Sequence, residues 1–352
     1  MNQEQISKIE LSLNNMKEKK SRLYFFVQDT KGNAKASVAY IYDLALTLKK
    51  QGYNAIILHE KPDYVGVSGW LGQEYMDQLP HKSIDGQSLE VAPEDFVVIP
   101  ELFGFVMGQL TKLPCGKIVL CQAYDHMLET LQPGQTWPSL GFYKCITTSQ
   151  QQKEHLENIM RGVSYDILKP VVSDKFQKSN LPAKPIIAIH SRDQRDSINV
   201  IKTFYLKFPQ YRWITFRDMR GLSQSEFAKS LKECFLSVWI DETSSYGTFP
   251  LESMKSNVPV LGLVPNLIPE WMNENNGIWL NNKNQISDFI ADFIQNWLED
   301  NIKEELKDEM LKVVENLSTK QEFEKVSLEL FETYLKTRMD SFEDQLNKLK
   351  SI

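Results

Sequence analysis

Residues 241–261, DETSSYGTFPLESMKSNVPVL, combine the residue types with the clearest chemistry in this chain. A turn bearing Gly247 and Thr248 runs into a short helix that carries Glu252, and an apolar strand follows from Val258. The first N–H groups of a helix lack partners within it and carry partial positive charge, so the turn at 247–250 can hold a diphosphate. Gly247 removes the side chain that would obstruct such an approach. Glu252, one turn into the helix, can accept from two ribose hydroxyls at once. The plainer reading is a carboxylate that neutralises its own helix terminus.

Arg192 and Arg195 follow an expected strand at 185–190, and Arg217 follows the next one at 211–216. Guanidinium groups grip phosphate oxygens by paired bonds and offset charge that grows on a leaving diphosphate. A solvated loop with Asp193 and Asp196 as local partners is the simpler account of the first two. His190 reads as an orienting or core residue, because no second His or Cys lies at ligand spacing, and no metal site is expected.

These residues need a frame. After a polar, helix-forming leader, residues 23–28 (LYFFVQ) read as a buried strand, 38–50 as a helix stopped by Gly52, and 55–58 as the next strand. Short apolar runs at 96–99, 117–121 and 145–148 fit parallel strands covered on both faces. The pattern restarts after 169–184 with strands at 185–190, 211–216, 236–240, 258–263 and 277–280. Helices are expected between them at 197–207, 223–232 and 251–256, with a last one at 286–298. Ser223 with Glu226 three residues on is a capping box for the second of these. The expectation is α/β, with two Rossmann-like domains at 1–180 and 181–300 facing across a cleft that is the default site, and a helical segment at 301–352 packing on them.

Composition limits the alternatives. A chain of 352 residues exceeds the length at which one core stops growing, which favours two domains. Forty-six acidic against 40 basic residues, a net charge of -6, argue against a general nucleic-acid surface. Cys115, Cys121, Cys145 and Cys234 are scattered, as expected of buried thiols in a cytoplasmic protein. Without a long apolar run, a signal peptide and a membrane span are not expected, and any membrane contact is peripheral.

Segment 244–261 resembles the donor-binding signature of retaining GT-B glycosyltransferases, especially the large family-four (group 1) set. The matching residues are Tyr246, Gly247, Pro250, Leu251, Glu252, Met254, Asn257, Val258, Pro259 and Val260. The family places a first Glu eight residues before the second, and here that position is Ser244. Pro269, Glu270, Asn276 and Gly277 resemble the family's continuation. The run His190-Ser191-Arg192 stands where the family has a Gly-Arg pair, and Ser197 stands where it has Lys. The match is moderately specific over 185–280 and topological before it.

The resemblance implies transfer of a sugar, with retention, from a nucleoside diphosphate sugar to a glycan or lipid-linked acceptor, without a strict metal requirement. Arg192 and Arg195 would stabilise the departing diphosphate, and Ser244, Tyr246, Gly247, Thr248, Glu252 and Arg217 would hold the donor. The first domain would bind the acceptor, with Gly32 in the loop after the first strand, and Asp125 or His126 handling the acceptor proton. An Asp at 125 also suits a helix cap. An aromatic and acidic loop, Asp63, Tyr64, Trp70 and Glu74, suits stacking on sugars or ordinary packing. Competing readings are a sugar-nucleotide epimerase of the same architecture and a degenerate, glycan- or partner-binding protein. A Rossmann oxidoreductase fits poorly, because the loop after the first strand has a single Gly.

Overall fold

The computed structural model describes residues 2–85, 89–178, 182–243 and 246–351. It divides into two compact units, one of Met1–Lys169 with Lys320–Ile352 and one of Pro170–Thr319. The polar leader forms α1 (Asn2–Lys17). The first unit then alternates β1 (Arg22–Phe26), α2 (Ala36–Lys50), β2 (Asn54–His59), the short α3 (Ser68–Leu71) and α4 (Gln73–Met76), and β3 (His81–Ser83). It continues through β4 (Phe96–Pro100), α5 (Gly104–Gln109), β5 (Gly116–Cys121), α6 (Tyr124–Thr130), β6 (Lys144–Thr147), α7 (Gln150–Ile159) and β7 (Ser164–Ile167). Every ladder is parallel, in the order β3-β2-β1-β4-β5-β6-β7.

Such a sheet must be covered on both faces, and β1 shows how its sequence meets that need. Tyr24 and Phe26 enter a core with Ile56, Val97, Val119 and Trp137, whereas Phe25 points the other way, against Phe331 with ring centroids 5.9 Å apart. The short β3 and β7 lack a clear apolar run, which is why the sequence pattern passes over them.

The second unit runs β8 (Lys184–Ser191), α8 (Gln194–Lys207), β9 (Thr215–Asp218), α9 (Gln224–Leu231), β10 (Cys234–Ile240), α10 (Thr248–Lys255), β11 (Val260–Leu263), β12 (Ile278–Leu280), α11 (Ile286–Leu298) and α12 (Glu304–Glu315). Its parallel strands lie in the order β12-β11-β10-β8-β9. Ile187, Ile189, Leu236, Val238 and Leu261 form one core with Val200 and Phe204 of α8 and Ile290 and Ile294 of α11. Ser223 and Glu226 make the expected capping box at α9. The strand expected at 211–216 is displaced: Pro209–Tyr211 is a 3-10 turn, and β9 begins only at Thr215, so Arg217 lies within a strand. The Tyr211 ring that suggested a strand instead packs on Phe204.

The helical tail divides between the units. Helix α12 packs on α10, and α13 (Lys320–Lys350) belongs to the first unit. There Phe323 meets Tyr40, Tyr334 donates to Asp166 Oδ2 at 2.7 Å, and Arg338 donates to the Pro93 carbonyl at 2.7 Å. Burial beside Asp166 pushes the Tyr334 hydroxyl well above its usual range and keeps it a donor. Tyr334→Phe is expected to destabilise the first unit by about 2 kcal/mol, because it removes a hydrogen bond to a charged group. Urea unfolding followed by circular dichroism measures this. No helix of the described residues is long and apolar enough to cross a membrane.

Candidate functional site

In open parallel sheets, ligands sit outside the carboxyl ends of the strands where the chain reverses its direction of travel across the sheet. In the second unit that point lies between β8 and β10, because β9 was laid on one side of β8 and β10 returns to the other. The register pairs His190 with Trp239 and Ser191 with Ile240, so Arg192 and Asp241 leave the sheet side by side. The Arg192 Nε lies 3.6 Å from Asp241 Oδ1, and the Arg192 side chain remains 42% exposed. The same Asp241 oxygen accepts from the N–H and hydroxyl of Thr243 at 2.9 and 3.0 Å.

Gly247 is the N-cap residue of α10, with φ 74° and ψ 74°. A side chain is excluded twice over, since a Cβ would lie 3.1 Å from both the Trp239 and Trp271 rings. Gly247→Ala is expected to cost about 2–4 kcal/mol through left-handed backbone strain and overpacking, read as a fall in thermal midpoint. The helix has no side-chain cap, so the turn offers the backbone N–H groups of Thr248 and Phe249.

The helix itself starts at Thr248, three residues before the expected 251, and Glu252 sits one turn into α10, as expected. It is half-buried, and among the described residues no hydrogen bond or ion pair reaches its carboxylate. Desolvation alone pushes its pKa up from the ordinary 4.5 to about 8. A carboxyl raised in this way by desolvation is poorly suited to neutralising its own helix terminus, the plainer reading of Glu252.

The other expected donor residues fare differently. Arg195 is 84% exposed, lies in the first turn of α8 and is clasped to Asp193, whose carboxylate also caps the helix. Arg217 donates to Glu233 Oε2 at 3.1 Å, and Glu233 also holds Lys184. Ser197, in the place of the family's Lys, is 1% exposed and shares a 2.5 Å hydrogen bond with Ser191, so it contributes no surface charge. Tyr246 is 7% exposed, and its hydroxyl donates to the Pro170 carbonyl at 3.4 Å, which makes its ring part of the interior. His190 stacks on Phe249 at 5.1 Å, and burial lowers its pKa. Ser244 lies outside the described residues. Arg192 and Asp241 thus stand together at the carboxyl ends of β8 and β10, and Gly247, Thr248 and Glu252 lie on the segment that follows β10; Asp241 and Trp271, which the sequence pattern did not single out, contact Arg192 and the Gly247 turn respectively. Trp271 donates from Nε1 to the Tyr246 carbonyl at 2.6 Å.

In the first unit the reversal falls between β1 and β4. Gly32, φ 82°, is in the loop after β1, where its N–H donates to the Gly66 carbonyl at 2.8 Å. Asp29 binds the same partner loop through the Gly66 N–H at 2.8 Å, so the two loops brace each other. Tyr64 stacks on His59 at 4.5 Å and bonds Tyr42, and Trp70 is 7% exposed; these rings are packed, not presented for stacking on a sugar. Asp125 and His126 open α6. One Asp125 oxygen, Oδ2, is buried without a hydrogen-bond partner, and His126 Nδ1 lies 3.4 Å from Glu101. Glu101, 2% exposed at the end of β4, also accepts from the N–H groups of Gln122 and Ala123 at 3.1 and 2.9 Å. It was missed because it follows an apolar run with no flanking pattern. Nearby, Phe26, Glu60, Leu102, Phe103, Phe105, Val106 and Thr130 line an open recess of about 390 Å3.

Two Rossmann-like units in series, each built on an all-parallel sheet, give this chain a GT-B fold. Solved structures with the same fold include sucrose-phosphate synthase from Thermosynechococcus elongatus, with TM-score 0.63 and 12% identity over 90% of this chain and 99% of that one. Anabaena Alr3699/HepE in complex with UDP-glucose aligns with TM-score 0.62 and 11% identity over 89% of this chain and 99% of that one. In sequence, the chain is 25% identical over 231 residues to an alpha-1,6-glucosyltransferase of Actinobacillus pleuropneumoniae serotype 7 (strain AP76). That match spans 62% of this chain and 66% of the relative, just under two thirds of its length. No family model matches the chain.

Proposed function

We propose that this protein is a retaining glycosyltransferase of the family-four type. It would move a sugar from a nucleoside diphosphate sugar, with UDP-glucose the first to test, to a hydroxyl of a glycan or lipid-linked acceptor held by the first unit. The observation that carries the reading is Glu252: a desolvated carboxylate without a partner among the described residues, on a helix whose N-cap Gly247 carries no side chain. Ribose hydroxyls supply the donors that carboxylate lacks, and the turn faces the phosphates. Arg192, at the strand-order reversal, offsets charge on the departing diphosphate. The UDP-glucose bound to the Anabaena protein and the glucosyl transfer named for the Actinobacillus relative support the donor choice.

Retention follows the same resemblance and is tested by NMR of the anomeric configuration in the product. The reading includes no strict divalent-ion requirement: transfer that persists in EDTA supports it, and transfer abolished by EDTA and restored by magnesium refutes it. Cytoplasmic action, with peripheral contact at the inner membrane face and a place in polysaccharide synthesis, belongs to the same proposal. A binding protein that has lost catalysis is the second reading. It is favoured by Ser197, which buries a hydroxyl where the family has a cation. UDP-glucose binding without transfer or hydrolysis, across a panel of acceptors, would decide for it.

A further inference from the structure

We propose that the recess of the first unit is a sugar-binding site that takes the ring of a neutral glycan, with Phe105 as its stacking face and Glu60 as its hydroxyl acceptor. The inference rests on the reading of the first unit as the acceptor-binding half of a transferase. The recess opens at the carboxyl ends of the strands beside the reversal between β1 and β4: Phe26 ends β1, Glu60 follows β2 and Phe103 follows β4. Its volume of about 390 Å3 falls within the range of small-ligand pockets.

The walls are held from behind. Phe103 meets Phe26 edge-on with centroids 4.5 Å apart, which fixes its ring. Gly104 opens α5 where a Cβ would stand 2.6 Å from the Thr130 carbonyl, so the first turn of α5 presses on the end of α6 and leaves Phe105 77% exposed. The Glu60 carbonyl accepts from Ser83 Oγ at 3.0 Å and from the Asp85 N–H at 2.9 Å, which anchors its backbone while the side chain stays exposed. Among the described residues no hydrogen bond or ion pair reaches its carboxylate.

Both polar side chains of the recess call for donors. An ionised Glu60 only accepts, and Thr130 Oγ1 commits its proton to the Glu101 or His126 carbonyl, at 3.1 and 2.9 Å, so that it too has only lone pairs to offer. An aliphatic chain laid here would desolvate the carboxylate without pairing it, and a phosphate would be repelled by it. A cation would suit Glu60 but brings no hydroxyl for a transfer. A sugar ring meets every wall at once: its C–H face packs on the negative face of the Phe105 ring, and its hydroxyls donate to Glu60 and Thr130.

The test uses the full chain and saturation-transfer NMR with the methyl α- and β-glycosides of glucose, galactose and mannose, without nucleotide. Phe105→Ala removes the stacking face and Phe105→Trp keeps it; Glu60→Gln removes the charge; Leu128→Ala removes an exposed apolar side chain outside the recess. At least one glycoside is expected to bind, about tenfold more weakly in Phe105→Ala and in Glu60→Gln, and unchanged in Phe105→Trp and Leu128→Ala. UDP affinity by calorimetry is expected to be equal across the set. Failure of every glycoside to bind overturns the site, as does binding that either Phe105→Ala or Glu60→Gln leaves intact. A parallel loss of UDP affinity overturns it too, since that marks general loosening. Choline or decyl phosphate bound in place of the glycosides, and lost in Phe105→Ala, replaces the sugar with a cation or a lipid chain. A parent protein that binds no UDP, GDP or ADP refutes the donor reading, and the glycoside titration still decides the recess.

Discussion

Glu252→Ala is expected to lower kcat/KM for the nucleotide sugar by about a hundredfold or more, with the far-ultraviolet spectrum unchanged. Two ribose hydroxyls donating to one carboxylate contribute roughly 1.5–3 kcal/mol each, and each 1.4 kcal/mol is a factor of ten. The pH dependence is the sharper signature, because the empty site holds this group protonated up to about 8. If the ionised form accepts the ribose, nucleotide affinity rises by roughly tenfold per pH unit from 6 towards 8 and then levels off. Calorimetry in buffers of different ionisation enthalpy should also show proton release on binding. A flat affinity profile across that range would remove Glu252 from the donor site.

The stability effect has the opposite sense. A carboxyl whose folded pKa lies above its unfolded value contributes stability that is fully present below about 4.5 and lost as pH rises through about 8. Glu252→Gln is therefore expected to match the parent at pH 4 and to exceed it above pH 8 by on the order of 3 kcal/mol. Loss of the Glu252 carboxylate is thus expected to weaken nucleotide binding in Glu252→Ala and to strengthen the fold in alkali in Glu252→Gln. A simple packing role predicts no such split.

Arg192→Ala is expected to reduce kcat by about 10²–10³, the size of effect seen when a donor to developing negative charge is removed. Arg192→Lys should recover only part of this, since an ammonium lacks the paired fork. The neighbouring Arg195→Ala should stay within about twofold, because that guanidinium is bound to Asp193 in solvent and an exposed pair contributes little. Equal losses at 192 and 195, measured with saturating donor, would contradict the placement of the site at the carboxyl ends of β8 and β10.

Much of the fold was legible because its signals are local. The strand expected at 236–240 falls within β10, buried along its length, and α11 falls at 286–298 as its periodicity states. Ser223 and Glu226 announced α9 by themselves. Where two signals compete, locality fails. Aromatics at 211–216 have strand character, yet Pro209 and the packing of Tyr211 on Phe204 turn the chain there and move β9 downstream. The tail at 301–352 looks uniform, and nothing local tells that α12 joins one unit while Tyr334 and Arg338 tie α13 to the other.

By itself, the sequence determined the alternation of strands and helices, the bare turn at Gly247 and the carboxylate at Glu252, because each depends on neighbours a few residues away. Only the tertiary structure decided which charged groups stand at the carboxyl ends of β8 and β10. Arg192 and Arg195 are equivalent on paper, and the pairing of β8 with β10 places the first beside Asp241 while Asp193 occupies the second. Tyr246 and Ser197 went to the interior, and Trp271 came to the Tyr246 carbonyl from twenty-five residues away. The physical reason is that strand register and side-chain partnership are long-range: a residue's charge and shape are written in the chain, but whether they face a ligand depends on what the rest of the fold has already satisfied.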